Sequence, residues 1–142
     1  MDKANDETLE YFMFLARHIK RDDVPSAVLL ALIDMEFQAH TDGFGYLRDS
    51  ISIKSHNPKM RLSAAYQEII HNYNDQIDSA QIEQTIRSSI TSAWKTRNDN
   101  KWGYYLPEFI RCAKKPSNNE FISRIACIME LWRSCKEAAY EA

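Results

Sequence analysis

Apolar residues recur at steps of three and four along almost the whole chain, and no segment shows convincing alternation of apolar and polar residues. Such spacing is typical of amphipathic α-helices that bury one face. Together with capping signals, it predicts six helices, at about residues 6–20, 25–37, 42–53, 58–72, 79–95 and 118–139. The sequence therefore predicts an all-α fold, a six-helix bundle-like domain without a sheet.

Local capping signals support several of these boundaries, because Asp, Asn and Ser side chains accept hydrogen bonds from the free N–H groups of a first helical turn. Signals of this kind are Asp23 with Pro25, Asp42, Asn57 with Pro58, Asp78-x-x-Gln81 and Ser117-x-x-Glu120. The last two have the form of a capping box, in which two side chains satisfy each other's backbone N–H groups. The residues 98–116, before the last helix, are predicted to form a loop.

The composition fits one folded domain and disfavours several function classes. The chain has 142 residues, of which 44% are hydrophobic and 27% are charged, so it contains enough apolar residues for a core. Its three glycines leave little material for the phosphate-binding loops of P-loop and dinucleotide-binding folds. Three cysteines form no C-x-x-C pair, and the longest apolar stretch falls well short of the ~20 residues that span a membrane. These features favour a cytoplasmic protein without a membrane partner.

Catalytic and metal-binding patterns are missing from the sequence. The four histidines do not have the spacing of metal ligands with a nearby Cys or carboxylate set. The sequence also has no Ser-His-Asp, paired-carboxylate or glycine-loop arrangement that indicates catalysis. We therefore expect neither an enzyme nor a cofactor.

Charge is distributed unevenly along the chain. The formal net charge is −2, although a stand-alone nucleic-acid binder is usually basic. Residues 1–47 carry four basic and nine acidic groups, whereas residues 87–136 carry ten basic and four acidic groups, a net charge of +6. The C-terminal part therefore has the charge that a phosphate backbone attracts.

The predicted helices 58–72 and 79–95 are joined by a short turn, which fits a helix-turn-helix whose second helix enters the major groove. The polar face of the second helix is formed by Gln81, Gln84, Thr85 and Ser88. Amide and hydroxyl groups of this kind are suited to reading base edges. The same pattern also fits an ordinary helix pair with a solvated face, so the spacing leaves both interpretations open.

Three sequence blocks resemble a known family. They are Ala39-His40-Thr41-Asp42-Gly43-Phe44-Gly45-Tyr46-Leu47-Arg48-Asp49-Ser50-Ile51, Ile82-Glu83-x-x-Ile86-Arg87-x-x-Ile90-x-x-Ala93-Trp94 and Lys115-Pro116-Ser117-Asn118-x-Glu120-Phe121-Ile122. The blocks occur in the order found in the C-terminal effector domain of the stage-zero sporulation master regulator of endospore-forming Firmicutes. The resemblance covers roughly residues 27–138, and three blocks in register are more specific than any one of them.

The resemblance implies a six-helix domain that binds duplex DNA through a helix-turn-helix, with helix 79–95 as the recognition helix. Glu83 and Arg87 match family positions on that helix. Gln81 and Gln84 stand where the family has two arginines, so we expect a different target sequence, since Arg suits guanine and Gln suits adenine. Two copies bind adjacent DNA boxes in the family, which implies homodimer or tandem pairing, with helix 118–139 contributing to the contact.

The domain organisation follows from the same comparison. Residues 1–22 are predicted to be an N-terminal amphipathic helical extension, and residues 23–142 are predicted to be the effector-like helix-turn-helix domain. Because only 42 residues precede Gly43, we expect a stand-alone domain without the receiver domain that precedes the effector domain in the family.

Basic residues near helix 79–95 are candidates for phosphate contacts, and a helix N-terminus at Ser117 and Asn118 could add neutral ones. Each of these assignments has an alternative without DNA. Each lysine could simply be solvated, and Ser117 could cap its helix. Glu83 and Arg87 could form a surface ion pair with each other. The full set of candidate DNA-binding residues is Gln81, Glu83, Gln84, Thr85, Arg87, Ser88, Lys95, Lys114 and Lys115.

These observations support one leading hypothesis and one alternative. The leading hypothesis is a sequence-specific duplex-DNA-binding transcription regulator that reads the major groove with helix 79–95. The alternative is a protein-interaction module that has kept the fold but lost specific DNA binding, and that pairs with a sporulation regulator or with itself. The two glutamines in place of arginines and the acidic N-terminal segment motivate the alternative.

Overall fold

The computed structural model describes residues 23–141, with side chains described through residue 134. Seven helices and no strand lie within these residues, which confirms the predicted all-α fold for this part of the chain. They are α1 (Val24–Asp34), α2 (Asp42–His56), α3 (Leu62–Asn72), α4 (Ser79–Lys95), α5 (Asp99–Tyr105), α6 (Pro107–Arg111) and α7 (Asn118–Glu141). The predicted helix 6–20, within the proposed extension 1–22, lies outside the described residues.

Helix α2 is the central element, because it contacts α1, α3, α4 and α7. Its buried apolar side chains include Phe44, Leu47 and Ile51. A buried hydroxyl on the same helix is satisfied locally, since Ser50 Oγ donates to the Tyr46 carbonyl oxygen at 2.7 Å. The core is therefore built around α2, and both α4 and α7 pack against it.

A buried aromatic cluster fixes the segment that follows α4. Trp102 is fully buried, and its Nε1 donates to the Met35 carbonyl oxygen at 3.1 Å. Its ring lies 5.8 Å from Phe37, 5.6 Å from Trp94 and 5.9 Å from Phe121, measured between centroids. Since Trp102 belongs to α5, these contacts attach α5 to the core.

The prediction of a loop at residues 98–116 is wrong, because α5 and α6 both lie within it. These helices have seven and five residues, too few to show a helical period in the sequence. The sequence does contain a helix-start signal for each of them. Asn98 is the N-cap of α5, where its Oδ1 accepts hydrogen bonds from Asn100 N and Lys101 N, and Pro107 stands in the first turn of α6.

Two predicted helix boundaries also need correction. The helix predicted at 25–37 ends at Asp34, because Glu36 has a φ of 67° and the Phe37 N–H donates back to the Leu32 carbonyl oxygen at 3.0 Å. The helix predicted to begin at Pro58 begins at Leu62 instead.

The proposed start signal at Asn57 in fact ends the preceding helix. The Asn57 N–H donates to the carbonyl oxygens of Ile53 and Lys54, so α2 extends to His56 rather than ending near 53. The N-cap of α2 is Thr41, whose Oγ1 accepts from Phe44 N at 3.3 Å, and not Asp42.

Three other caps are confirmed. Asp23 accepts from Ser26 N at 3.1 Å, and Asp78 accepts from Gln81 N at 2.8 Å, so that α4 spans Ser79–Lys95 as predicted. At the start of α7 the predicted capping box is complete, because Ser117 N donates to Glu120 Oε1 and Glu120 N donates to Ser117 Oγ, both at 3.1 Å.

Helices α2 and α4 cross at Gly43. A Cβ atom at this position would overlap Ser89 Oγ, and it would lie 3.0 Å from Ser89 Cβ and 3.1 Å from the Thr85 carbonyl oxygen. Contacts of that length leave no room for a side chain, so Gly43 sets how closely the two helices approach. A Cβ atom at Gly45, two residues further along α2, would meet no neighbouring atom within 4 Å, so Gly45 carries no such constraint.

Candidate nucleic-acid interface

Helix α4 has one buried face and one exposed face. Ile82, Ile86, Ile90 and Ala93 are buried in the core. On the opposite side lies the stripe that we call the reading face, formed by Gln81, Gln84, Thr85 and Ser88. Gln81, Gln84 and Ser88 are exposed and Thr85 is half-buried, so the four predicted base-reading residues share one accessible surface.

Helix α3 packs against α4 and is joined to it by residues 73–78. Asn74 and Asp75 have φ values of 56° and 60°, and Asp75 N donates to the Ile70 carbonyl oxygen at 3.0 Å, which reverses the chain after α3. Asn and Asp tolerate this left-handed conformation better than most residues. The connection is longer than the three- to four-residue turn that is usual in helix-turn-helix units.

On one side of the reading face lies a cleft of about 420 Å³ between α4 and the start of α7. It is lined by the cations Arg87, Lys114 and Lys115 and by the carboxylates of Glu83 and Glu120, and we call it the basic cleft because the cations outnumber the carboxylates. Lys115 Nζ donates to Thr91 Oγ1 at 2.8 Å, which holds the segment before α7 against α4. The structure thus brings together three of the predicted cations, although the two lysines lie 27 and 28 residues after the arginine in the sequence.

The fourth predicted cation, Lys95, is exposed at the last residue of α4, two turns beyond Arg87. Two further basic residues of this region are engaged elsewhere. Arg97 lies 3.8 Å from the Trp94 ring centroid and its Nε is 2.9 Å from Asp99 Oδ1. Lys101 Nζ is 3.9 Å from Glu36 Oε1. Of the four predicted cations, Lys95 is thus the one that does not line the basic cleft.

The start of α7 is fastened to α4 by Asn118. This residue is only 5% exposed, and its Nδ2 donates to the Glu83 carbonyl oxygen at 2.9 Å. The Asn118 amide is therefore engaged inside the protein, and a phosphate contact at this helix N-terminus stays a prediction. The capping role of Ser117 is confirmed, and its backbone N–H also lowers the pKa of the Glu120 carboxyl below its ordinary value by hydrogen bonding.

Glu83 lies between Arg87 and the interior. Its Oε1 is 3.5 Å from Arg87 Nη2, so the surface ion pair that the spacing allowed is present. The buried Tyr66 of α3 lies on its other side, and burial raises the pKa of the Tyr66 phenol, with the Glu83 carboxylate raising it further. Tyr66 is the functional candidate that sequence reasoning missed, and the hydrogen bond from Asn118 to α4 was not foreseen either, because no local pattern places α3 and α7 beside the same turn of α4.

The other side of the reading face borders a second cleft, of about 360 Å³, between α4 and the start of α2. We call it the hydroxyl cleft. Two residues of the reading face, Thr85 and Ser88, line it with four further hydroxyl side chains and the carboxylates of Glu36 and Asp42; the four are Thr41, Ser89, Ser92 and Thr96. Among the described residues that line it, none is Lys or Arg. The net formal charge of the ionisable lining residues is therefore positive in the basic cleft and negative in the hydroxyl cleft.

Residues 28–129 match the family described as sporulation initiation factor Spo0A C terminal. The chain belongs to this family. The match begins within α1, covers α2 to α6 and half of α7, and includes both clefts and the whole reading face. The resemblance read from the three sequence blocks is thereby confirmed: this is a sporulation effector domain, from a family of DNA-binding regulatory domains rather than of enzymes.

Two other kinds of feature are absent from the part of this Spo0A C-terminal domain that the structure describes. Within residues 23–141 no group of three or more His, Cys, Asp or Glu side chains is arranged to hold a metal ion. None of the helices described there is both long enough and apolar enough to cross a membrane.

Proposed function

We propose that this domain is a transcription regulator that binds specific duplex DNA sequences by placing α4 in the major groove. The observation that carries the proposal is the uncharged, accessible reading face with the basic cleft directly beside it. An α-helix fits the major groove, and base edges there are read by hydrogen-bonding side chains. Helix α3 then serves as the supporting helix of a helix-turn-helix.

The chemistry of the reading face favours a target that differs from that of arginine-bearing relatives. The side chain of Gln81 or Gln84 forms two hydrogen bonds with adenine N6 and N7, whereas an arginine selects guanine. The hydroxyl groups of Thr85 and Ser88 accept hydrogen bonds from, or donate them to, the edges of several bases. Each good bidentate pair contributes about 1–3 kcal/mol of discrimination, so the glutamines are the main determinants of sequence preference.

Phosphate contacts position the helix without adding sequence information. Arg87, Lys114 and Lys115 supply them from the basic cleft, and Lys95 supplies one near the other end of α4. Each phosphate that is neutralised releases counterions, so four contacts make the affinity fall steeply as the salt concentration rises.

Pairing of two copies on DNA is part of the same proposal. Leu131 of α7 is 61% exposed, and Cys127, one turn earlier on the same face, is exposed as well. An exposed leucine on a surface helix favours a contact between copies of this helix. The same observation favours the second candidate function, a protein-interaction module that uses α7 and does not read DNA.

Selection from a pool of random duplexes at moderate salt tests the proposal. We expect the wild-type domain to enrich one sequence box. The double variant Gln81→Ala with Gln84→Ala serves as the matched comparison, because it leaves every cation in place and should bind duplexes without enriching that box. If the wild-type domain enriches no sequence, the regulator function is wrong and the interaction module replaces it.

A further inference from the structure

Helix α1 is apolar on both of its sides. Eight of its eleven residues are Val, Ala, Leu or Ile, including every position from 27 to 33. One side is buried in the core, and the opposite side is a stripe that we call the outer face, formed by Ser26, Leu29, Leu30 and Ile33. Leu29 and Leu30 are only half-buried, and Ile33 is 46% exposed. Since a helix that is apolar all round is normally covered on both sides, the outer face calls for a partner.

A matching apolar stripe lies directly before α1 in the chain. In the predicted helix 6–20 it is formed by Leu9, Phe12, Ala16 and Ile19. Only residues 21–23 separate this predicted helix from α1. Three residues span at most about 10 Å, and packed helices lie about 8–10 Å apart, so the connection is long enough for the predicted helix to fold back on α1. Connections this short are typical of antiparallel neighbours.

The two stripes also agree in register. In an antiparallel helix pair, facing residues are equally distant from the middle of the connecting turn, because both helices rise by the same amount per residue. With that middle between residues 22 and 23, Phe12 faces Ile33 and Ala16 faces Leu29. The most exposed apolar side chain of α1 is thus matched with an aromatic ring, and the half-buried leucine with a small side chain.

We propose that residues 6–20 form a helix that docks antiparallel on the outer face of α1 in the same chain. Burial of apolar surface on both stripes supplies the driving force. The charged side chains of Glu10 and Arg17 lie on the side of the predicted helix away from the stripe, so they stay in water. Helix α1 packs on α2 and α7, so the docked helix becomes an outer layer of the same domain. This inference does not depend on the DNA-binding proposal.

Two phenylalanines of the predicted helix provide a matched test of the docking. Phe12 belongs to the apolar stripe, whereas Phe14 lies on the opposite side of the helix. In the full chain we expect Phe12→Ala to lower the thermal unfolding midpoint by about 5 °C, because it removes buried surface. Phe14→Ala should lower it by less than about 1 °C. Equal midpoints in the two variants would overturn the proposal.

A double-mutant cycle with Ile33→Ala identifies the surface that Phe12 contacts. If the two side chains touch, Phe12→Ala and Ile33→Ala together should shift the midpoint by less than the sum of their separate shifts. Phe14→Ala with Ile33→Ala is the control pair, and its shifts should add. Additive shifts in both pairs would mean that Phe12 does not pack on the outer face, and the proposal would be wrong.

Hydrogen exchange and light scattering complete the test. Backbone amides of residues 6–20 should exchange slowly in the wild-type chain and in Phe14→Ala, and faster in Phe12→Ala. Exchange at the rate of an unfolded peptide in the wild-type chain would overturn the docking. Phe12→Ala should also leave the oligomer size unchanged at low and high protein concentration. A dimer that is present in the wild-type chain and lost in Phe12→Ala would show docking on a second copy, and the arrangement within one chain would be wrong.

Discussion

The two sides of the reading face are constructed differently. On the side of the basic cleft, α4 is joined to α7 by a hydrogen bond from Asn118 and to the segment before α7 by one from Lys115, and the net formal charge is positive. On the side of the hydroxyl cleft, α4 meets α2 through the close approach at Gly43, and the surface is negative. Helix α4 is therefore bordered on one side by a hydrogen-bonded contact with cations beside it, and on the other side by a close-packed contact with carboxylates beside it.

This difference shows that the packing that positions α4 and the cations that are added beside it come from different parts of the fold. The packing at Gly43 places α4 relative to the core, while two of the four proposed phosphate-contacting cations, Lys114 and Lys115, come from the segment before α7. A DNA duplex should therefore contact the two sides unequally, with more phosphate contacts on the side of the basic cleft. Three changes can break or sharpen this comparison.

The largest effect is expected at the close-packed side. Gly43→Ala should destabilise the domain by about 1–3 kcal/mol, because the added methyl group has no space between Ser89 and the Thr85 carbonyl oxygen. Thermal unfolding followed by circular dichroism measures the change. Ser89→Ala in the same chain should recover part of the loss, since it removes the hydroxyl that the methyl group overlaps.

Gly45→Ala is the matched control for this substitution. It adds the same methyl group to the same helix, where no atom beyond the adjacent residues and the backbone of that helix lies within 4 Å. It should stabilise the domain by about 0.5–1 kcal/mol through the higher helix propensity of alanine. Equal stability changes in the two variants would show that the close approach of α2 and α4 is absent.

An intermediate effect is expected at the cationic side. Lys115→Ala should lower the slope of log affinity against log salt concentration by about 0.9, because one phosphate contact is lost, and should weaken binding to all duplexes alike. Salt titrations of binding to a random-sequence duplex measure this slope. Lys115→Arg keeps the charge and should keep the slope. An unchanged slope in Lys115→Ala would remove Lys115 from the interface.

The smallest effect is expected at the anionic side. Glu36→Gln should tighten duplex binding about twofold, because it removes a negative charge that lies beside the reading face. The same salt titrations measure it, and the gain should disappear at high salt. Weaker binding in Glu36→Gln would mean that the duplex does not approach this side of α4.

The sequence predicted α4 well because its limits depend on local chemistry. Asp78 caps the first turn, and the isoleucines at 82, 86 and 90 place one face in the core. The capping box of α7 was predictable for the same reason. The resemblance to the family was also local, since it rests on three continuous blocks.

The features that the sequence did not reveal depend on tertiary contacts. Helix α5 is held by the burial of Trp102 against Phe37 and Phe121, residues far away along the chain. The misplaced start of α3 came from Asn57, whose cap-like identity serves the end of α2. At the interface, the sequence predicted Arg87, Lys114 and Lys115 separately, but their common cleft depends on how α7 packs against α4.

The indole pair formed by Trp94 and Trp102 gives the domain an internal optical signal. The rings are 5.6 Å apart and inclined by 73°, with Trp94 on α4 and Trp102 on α5. Transition dipoles that are this close couple and produce a paired band in circular dichroism. The intensity of that band reports the contact between α4 and α5, so binding of a ligand to α4 and unfolding of the core could be followed in the same sample without any added dye.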